Sequence, residues 1–117
     1  MAKDVRAMLN DLSNGNKQYG AARPEAIGAF GAFMHAAEKD GALDTKTKEL
    51  IGMAISVYCR CEYCIVYHVY NAFKLGATRD EIIDAAMTAM VYGGGPTMAY
   101  TSTTLFACLD EFEKDFH

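Results

Sequence analysis

The sequence predicts an all-α fold. Apolar residues recur at three- and four-residue spacing, and Gly, Pro and Asp fall where helices begin and end. No segment shows β-hairpin alternation around a tight turn. The 117 residues suit one domain, taken as residues 1–117. No internal repeat or low-complexity stretch divides them.

Val5, Met8, Leu9 and Leu12 make a first amphipathic helix that should fade at Asn14-Gly15-Asn16. Pro24 suits the first turn of a second helix, with Ile27, Phe30, Met34 and Ala37 on its inner face. Asp40-Gly41 should end it, Gly41 serving as a left-handed cap. Asp44 caps a third helix, Thr45 to about Tyr58, that turns Leu50, Met53, Ala54 and Val57 inward. A fourth begins in the segment around Cys61 and stops at Gly76. Thr78-Arg79-Asp80-Glu81 is a capping box for a fifth, which ends at Gly93-Gly94-Gly95. Pro96 starts a sixth that runs nearly to His117.

Neither Gly nor Pro separates helices three and four. One unbroken helix from Thr45 to Leu75 would be about 45 Å long. A domain of this size has a radius of gyration of only about 13 Å, so the sequence predicts a break near Arg60. The break matters for chemistry. On one rod Glu49 would lie about 18 Å from Cys61 along the axis. A hairpin turned at Arg60 brings Glu49 back to within about a turn of His68.

Composition narrows the function. Eleven basic and fifteen acidic residues give a net charge of -4, which argues against a nucleic-acid partner and leaves no polybasic membrane patch. The longest apolar stretch, Leu50 to Tyr58, falls well short of the ~20 residues that span a bilayer. The N-terminal segment from Met1 to Arg6 has no apolar run behind it and does not read as a signal peptide. These features predict a soluble, cytoplasmic protein with no membrane partner. At 51% hydrophobic residues, a domain this small has apolar surface left for subunit contacts, which points to a homo-oligomer.

The informative segment is Cys61-Glu62-Tyr63-Cys64-Ile65-Val66-Tyr67-His68. At about 100° per residue, Cys61, Cys64 and His68 share one helix face, within roughly 60° of each other. Clustered cysteines in a reducing compartment are more often catalytic or metal-binding than structural. In thiol redox chemistry, His68 one turn from Cys64 accepts its proton, and the helix start adds positive potential at both thiols. Glu49 orients the imidazole, while the carboxylate of Glu62 opposes thiolate formation. A sulfenic acid on one thiol would condense with the other to a disulfide, and a partner dithiol would reduce it. This chemistry calls for no cofactor and no metal.

Two alternatives stay open. Cys59, Cys61, Cys64 and His68 supply four zinc-type ligands, although structural zinc sites usually draw on two separate segments and these four are nearly contiguous. The cysteines could also be inert packing residues. Packing is the expectation for Cys108 and Cys59. His35 has no partner in sequence, His117 should be mobile, and Tyr58, Tyr63, Tyr67 and Tyr70 should ring the site as amphipathic boundary residues.

Glu49, eleven intervening residues, then Cys61-x-x-Cys64-x-x-x-His68 resembles the signature of the AhpD-like proteins. These are the thiol-active branch of the carboxymuconolactone decarboxylase family. The Gly76-Ala77-Thr78 turn, the acidic start of helix five and the triple glycine are similar too, so the likeness covers about residues 40 to 110. It implies a bundle of about six helices assembled as trimers or hexamers. It further implies an alkylhydroperoxidase-type activity on a peroxide or disulfide, with a dithiol protein as electron donor. By position, Cys64 would be the attacking thiol, Cys61 the resolving thiol, and Glu49 and His68 the proton relay. Tyr63 stands where that family often has His. The true decarboxylases, lyases that generally lack the C-x-x-C pair, are the alternative within the family.

Overall fold

The computed structural model describes residues 3–117; Met1 and Ala2 of the N-terminal segment lie outside them. Every regular element among the described residues is helical. Helices α1 (Val5–Ala22) and α2 (Pro24–Glu38) form one hairpin, and α3 (Thr45–Cys59) and α4 (Glu62–Lys74) form a second. Helix α5 (Arg79–Tyr100) continues through a π-helical segment (Thr101–Leu105) into α6 (Phe106–Phe112) and a closing 3-10 turn (Glu113–Asp115). No helix among the described residues is long and apolar enough to cross a membrane.

The second hairpin is the centre of the molecule. Helix α3 packs on both α4 and α5, and α4 packs on α1 and α6. Met53, Val57, Ile65, Val69, Phe73 and Phe112 are fully enclosed there. The start of α1 is fastened to the last turns. Arg6 Nε donates to Glu111 Oε2 at 2.7 Å, and both Nη atoms donate to Asp115 at 3.0 Å. Its guanidinium lies 5.3 Å from the centre of the Phe112 ring.

Local signals in the sequence set most boundaries. Asp44 caps α3 by accepting from Thr47 N, and Thr78 and Glu81 close the capping box of α5. The α3–α4 break falls at Arg60, which is left-handed at φ 58°. The helical run beyond α4 is broken at Gly94 (φ 64°, ψ -142°), inside the triple glycine, and resumes with Pro96. A side chain at Gly93 would collide with Thr97.

Three expectations fail. Helix α1 does not fade at Asn14-Gly15-Asn16 but continues to Ala22. Gly and Asn weaken a helix by only about 1 kcal/mol or less each, and no proline intervenes before Pro24. Gly41 is not a left-handed cap; α2 ends at Glu38 instead. There the Lys48 ammonium, from α3, donates to Ala37 O and Lys39 O at 2.9 and 2.8 Å and satisfies carbonyls that a glycine cap would have served. The apolar face of α2 does not enter the core, since no residue of that helix is buried. Ile27, Phe30 and Met34 line a groove over α4 instead.

Candidate active site

Arg60 turns the chain back so that α4 lies against α3, and Glu49 and His68 meet across the two helices. Glu49 is 5% exposed, and its carboxylate oxygen Oε1 accepts from His68 Nδ1. That contact assigns the Nδ1–H tautomer and leaves Nε2 as the basic nitrogen. The imidazole lies against the backbone of Gly52, one turn after Glu49: a Cβ there would fall 3.2 Å from His68 Cε1. The Tyr67 ring meets the imidazole edge-on at 5.2 Å.

Cys61 and Cys64 are joined by a disulfide with Cα atoms 5.2 Å apart, within the range such bridges span. Cys61 is not inside α4 but caps it. Its backbone is extended and its Sγ accepts from Cys64 N at 3.3 Å. Both sulfurs therefore sit at a helix N-terminus, where the unsatisfied N–H groups favour negative charge. The opposing carboxylate of Glu62 is drawn off by Lys3, whose Nζ lies 2.8 Å from Glu62 Oε1.

Cys64 and His68 open onto the groove between α1, α2 and α4, which holds about 540 Å³. Its walls are mostly apolar, with Leu12, Tyr19, Phe30 and Tyr67 among them. That volume falls within the range of about 300–1,000 Å³ of small-molecule sites. Cys61 is not part of this wall.

The four expected site residues, Glu49, Cys61, Cys64 and His68, thus come together. Other expectations are corrected. Cys59 is exposed, not packed, because it ends α3 on the side away from the core. Tyr70 packs edge-on against Phe112 and Phe116 at the core rim, so only Tyr63 and Tyr67 of the four tyrosines line the groove. His117 is exposed, its ring centre 5.9 Å from that of Phe73. Cys108 is buried as expected, and burial pushes its thiol up to about 12. His35 lies on the surface. Among the described residues no three His, Cys, Asp or Glu side chains converge in an arrangement that could hold a metal ion. Gly52 escaped the reading of the sequence. The signal was there: a glycine in mid-helix, three residues after Glu49, where glycine loses roughly 0.5–1 kcal/mol to alanine.

Comparison with known proteins gives the family. The family model for the carboxymuconolactone decarboxylase family matches residues 24–104. The chain belongs to that family. A carboxymuconolactone decarboxylase family protein of Legionella pneumophila, solved in its apo form, superposes with a TM-score of 0.88 at 38% identity, covering 93% of this chain and 96% of its own. A family member from Thermotoga maritima, described with a possible part in antioxidative response, gives a TM-score of 0.78 at 28% identity over 92% of this chain and 93% of its own. An uncharacterised protein of Cupriavidus necator is 35% identical over 108 residues, 90% of this chain and 93% of its own.

Proposed function

We propose that this protein is a cytoplasmic thiol peroxidase and disulfide oxidoreductase of the AhpD-like branch, working as a homo-oligomer. The observation that carries the proposal is the Glu49–His68 pair set beside the Cys61–Cys64 disulfide, with Cys64 and His68 on one groove wall. The Cys64 thiol gives its proton to His68 Nε2. The thiolate attacks the outer oxygen of a peroxide, an S–O bond forms, the O–O bond breaks, and the leaving alkoxide takes the proton back from His68. The thiol of Cys61 attacks the sulfenic sulfur, an S–S bond forms, and hydroxide leaves with the Cys61 proton as water. A partner dithiol restores both thiols by two exchanges and departs as a disulfide. Glu49 holds the imidazole in place and stabilises its cationic form between the two proton transfers.

The test is intact mass with thiol counting on reduced, metal-free protein, before and after one equivalent of peroxide. Loss of two hydrogens with a Cys61–Cys64 crosslink is the expected result. About one zinc bound per chain, shielding the thiols, would replace the proposal with a structural metal site. Decarboxylase activity that survives replacement of both cysteines would move the protein to the lyase branch.

A further inference from the structure

Glycine inside a helix weakens it relative to alanine, so an interior glycine calls for a local cause. In Gly15, Gly28 and Gly31, the added Cβ would meet open space. Gly52 differs. A Cβ there would lie 3.2 Å from Cε1, 3.3 Å from Nδ1 and 3.6 Å from Nε2 of His68. Carbon atoms rest comfortably at about 3.5–4.0 Å, so a methyl group would press on the face of the imidazole near the nitrogen bound to Glu49.

The backbone is poorly placed to yield. The Ser56 hydroxyl donates to Gly52 O at 2.7 Å, Ser56 is itself buried, and its carbonyl accepts from Cys61 N at 3.1 Å. The imidazole is the freer partner: it is held by Glu49 on one edge and faces the groove on the other. A methyl at position 52 would therefore be accommodated by His68 moving away from α3.

We propose that Gly52 is a positioning residue of the proton relay. The missing side chain lets the imidazole lie against α3, where Nδ1 meets Glu49 and Nε2 is left for the Cys64 proton. This inference rests on the relay proposed above, and its test separates the two.

The variant is Gly52→Ala, made alone and together with His68→Ala. The first readout is the exchange-protected Nδ1 proton of His68 in 15N-labelled protein, which needs no redox activity. The Gly52→Ala protein should lose or shift that signal. The second is the rate of disulfide closure with peroxide. It should fall about tenfold, a part of the roughly hundredfold that a placed base supplies, and should not fall further when His68→Ala is already present. The third is the thermal midpoint, which should fall in Gly52→Ala alone, where buried Glu49 loses its partner, and should hold or rise when Gly52→Ala is added to His68→Ala, where only the helical gain of alanine remains. An unchanged proton signal and rate would overturn the proposal. So would an equal loss of rate and an equal fall in midpoint in both backgrounds, the mark of general packing damage. If Gly52→Ala alone failed to fold, recovery of folding in the double variant would support the proposal and its absence would refute it. A wild-type protein inert to peroxide, with the proton signal still displaced by Gly52→Ala, would end the peroxidase proposal and leave the positioning role standing.

Discussion

Glu49 and His68 stand nineteen residues apart in sequence and meet through Oε1 and Nδ1. Glu49 is nearly enclosed, and His68 Nδ1 is its hydrogen-bond partner. A buried carboxylate needs such a partner. Glu49→Gln keeps the shape but removes the charge that steadies an imidazolium. His68→Ala removes the base. Both should slow the first reaction with peroxide, His68→Ala by about a hundredfold or more and Glu49→Gln by less. Neither should block slow closure of the disulfide by strong oxidants. Stopped-flow kinetics on reduced protein measure both, and a wild-type rate in His68→Ala would remove the relay from the mechanism.

The two thiols should differ. Cys61 caps the helix and gains from its dipole, an effect of about 0.3–1 kcal/mol. Cys64 lies one turn from His68, and only it shares the groove with the base. Proximity to a base outweighs the dipole. Cys61→Ser should still form a sulfenic acid, trapped by a dimedone-type probe at Cys64, and Cys64→Ser should react far more slowly. The reverse pattern would assign activation to the helix terminus.

Cys59 and Cys108 should separate cleanly on labelling. With the disulfide closed, a maleimide at pH 8 should modify Cys59 and leave Cys108 untouched until the protein unfolds. Burial raises Cys108 from 9.0 to about 12, so the unfolded thiol ionises first. Stability contributed by this site is whole below about 9 and declines as the pH climbs toward about 12. Cys108→Ala should flatten that alkaline decline in chemical denaturation.

Arg6 gives the opposite dependence. Its hydrogen bond, followed by that of Lys114, holds the Glu111 carboxyl below the usual value of 4.5. A depressed carboxyl stabilises above its unfolded value and loses that contribution as pH falls through the folded one. Arg6→Ala should therefore be less stable than wild type at pH 7, and the gap should narrow below about pH 4.5. The same gap should shrink with added salt, because the groups are partly solvated.

Assembly follows from a different surface. Tyr92 is 78% exposed and lines one apolar depression with exposed Ile51, Ile55 and Tyr58 of α3. A contiguous apolar face of this kind marks a contact surface more often than solvent. Light scattering at micromolar concentration should give a multimer, and Ile55→Asp should shift it toward the monomer. A wild-type monomer would overturn the expectation.

Legibility in the sequence tracked locality. Asp44, Thr78 with Glu81, and Pro96 act on backbone groups within a few residues, so their spacing alone fixed three helix starts. The break at Arg60 was legible for another reason: an unbroken rod would not fit a small domain. Periodicity placed Cys64 and His68 on one face, and the hairpin supplied Glu49; Cys61 caps the helix instead of sharing that face, and joins Cys64 through the disulfide. What stayed hidden depends on contacts distant in the chain. Lys48 ends α2 from another helix, so no residue near Gly41 announces it. Helix α2 carries an apolar stripe that looks like core and instead walls a groove. Cys59 and Cys108 are identical in sequence terms, and only the position of each on its helix sends one outward and one inward.

The α3–α4 connection is two residues long, Arg60 and Cys61. The turn itself is not helical, so α4 keeps its face by burying Ile65, Val69 and Phe73. An extra residue inside α3, between Glu49 and Arg60, would instead turn Glu49 by about 100° relative to the end of that helix. Cys64 and His68 would keep their own spacing, but Glu49 would swing off His68. The site is thus geared rather than merely assembled. Substitutions can adjust each tooth in place, whereas a single residue inserted in α3 would slip the gear, leaving thiol and imidazole engaged with each other and disengaged from the carboxylate.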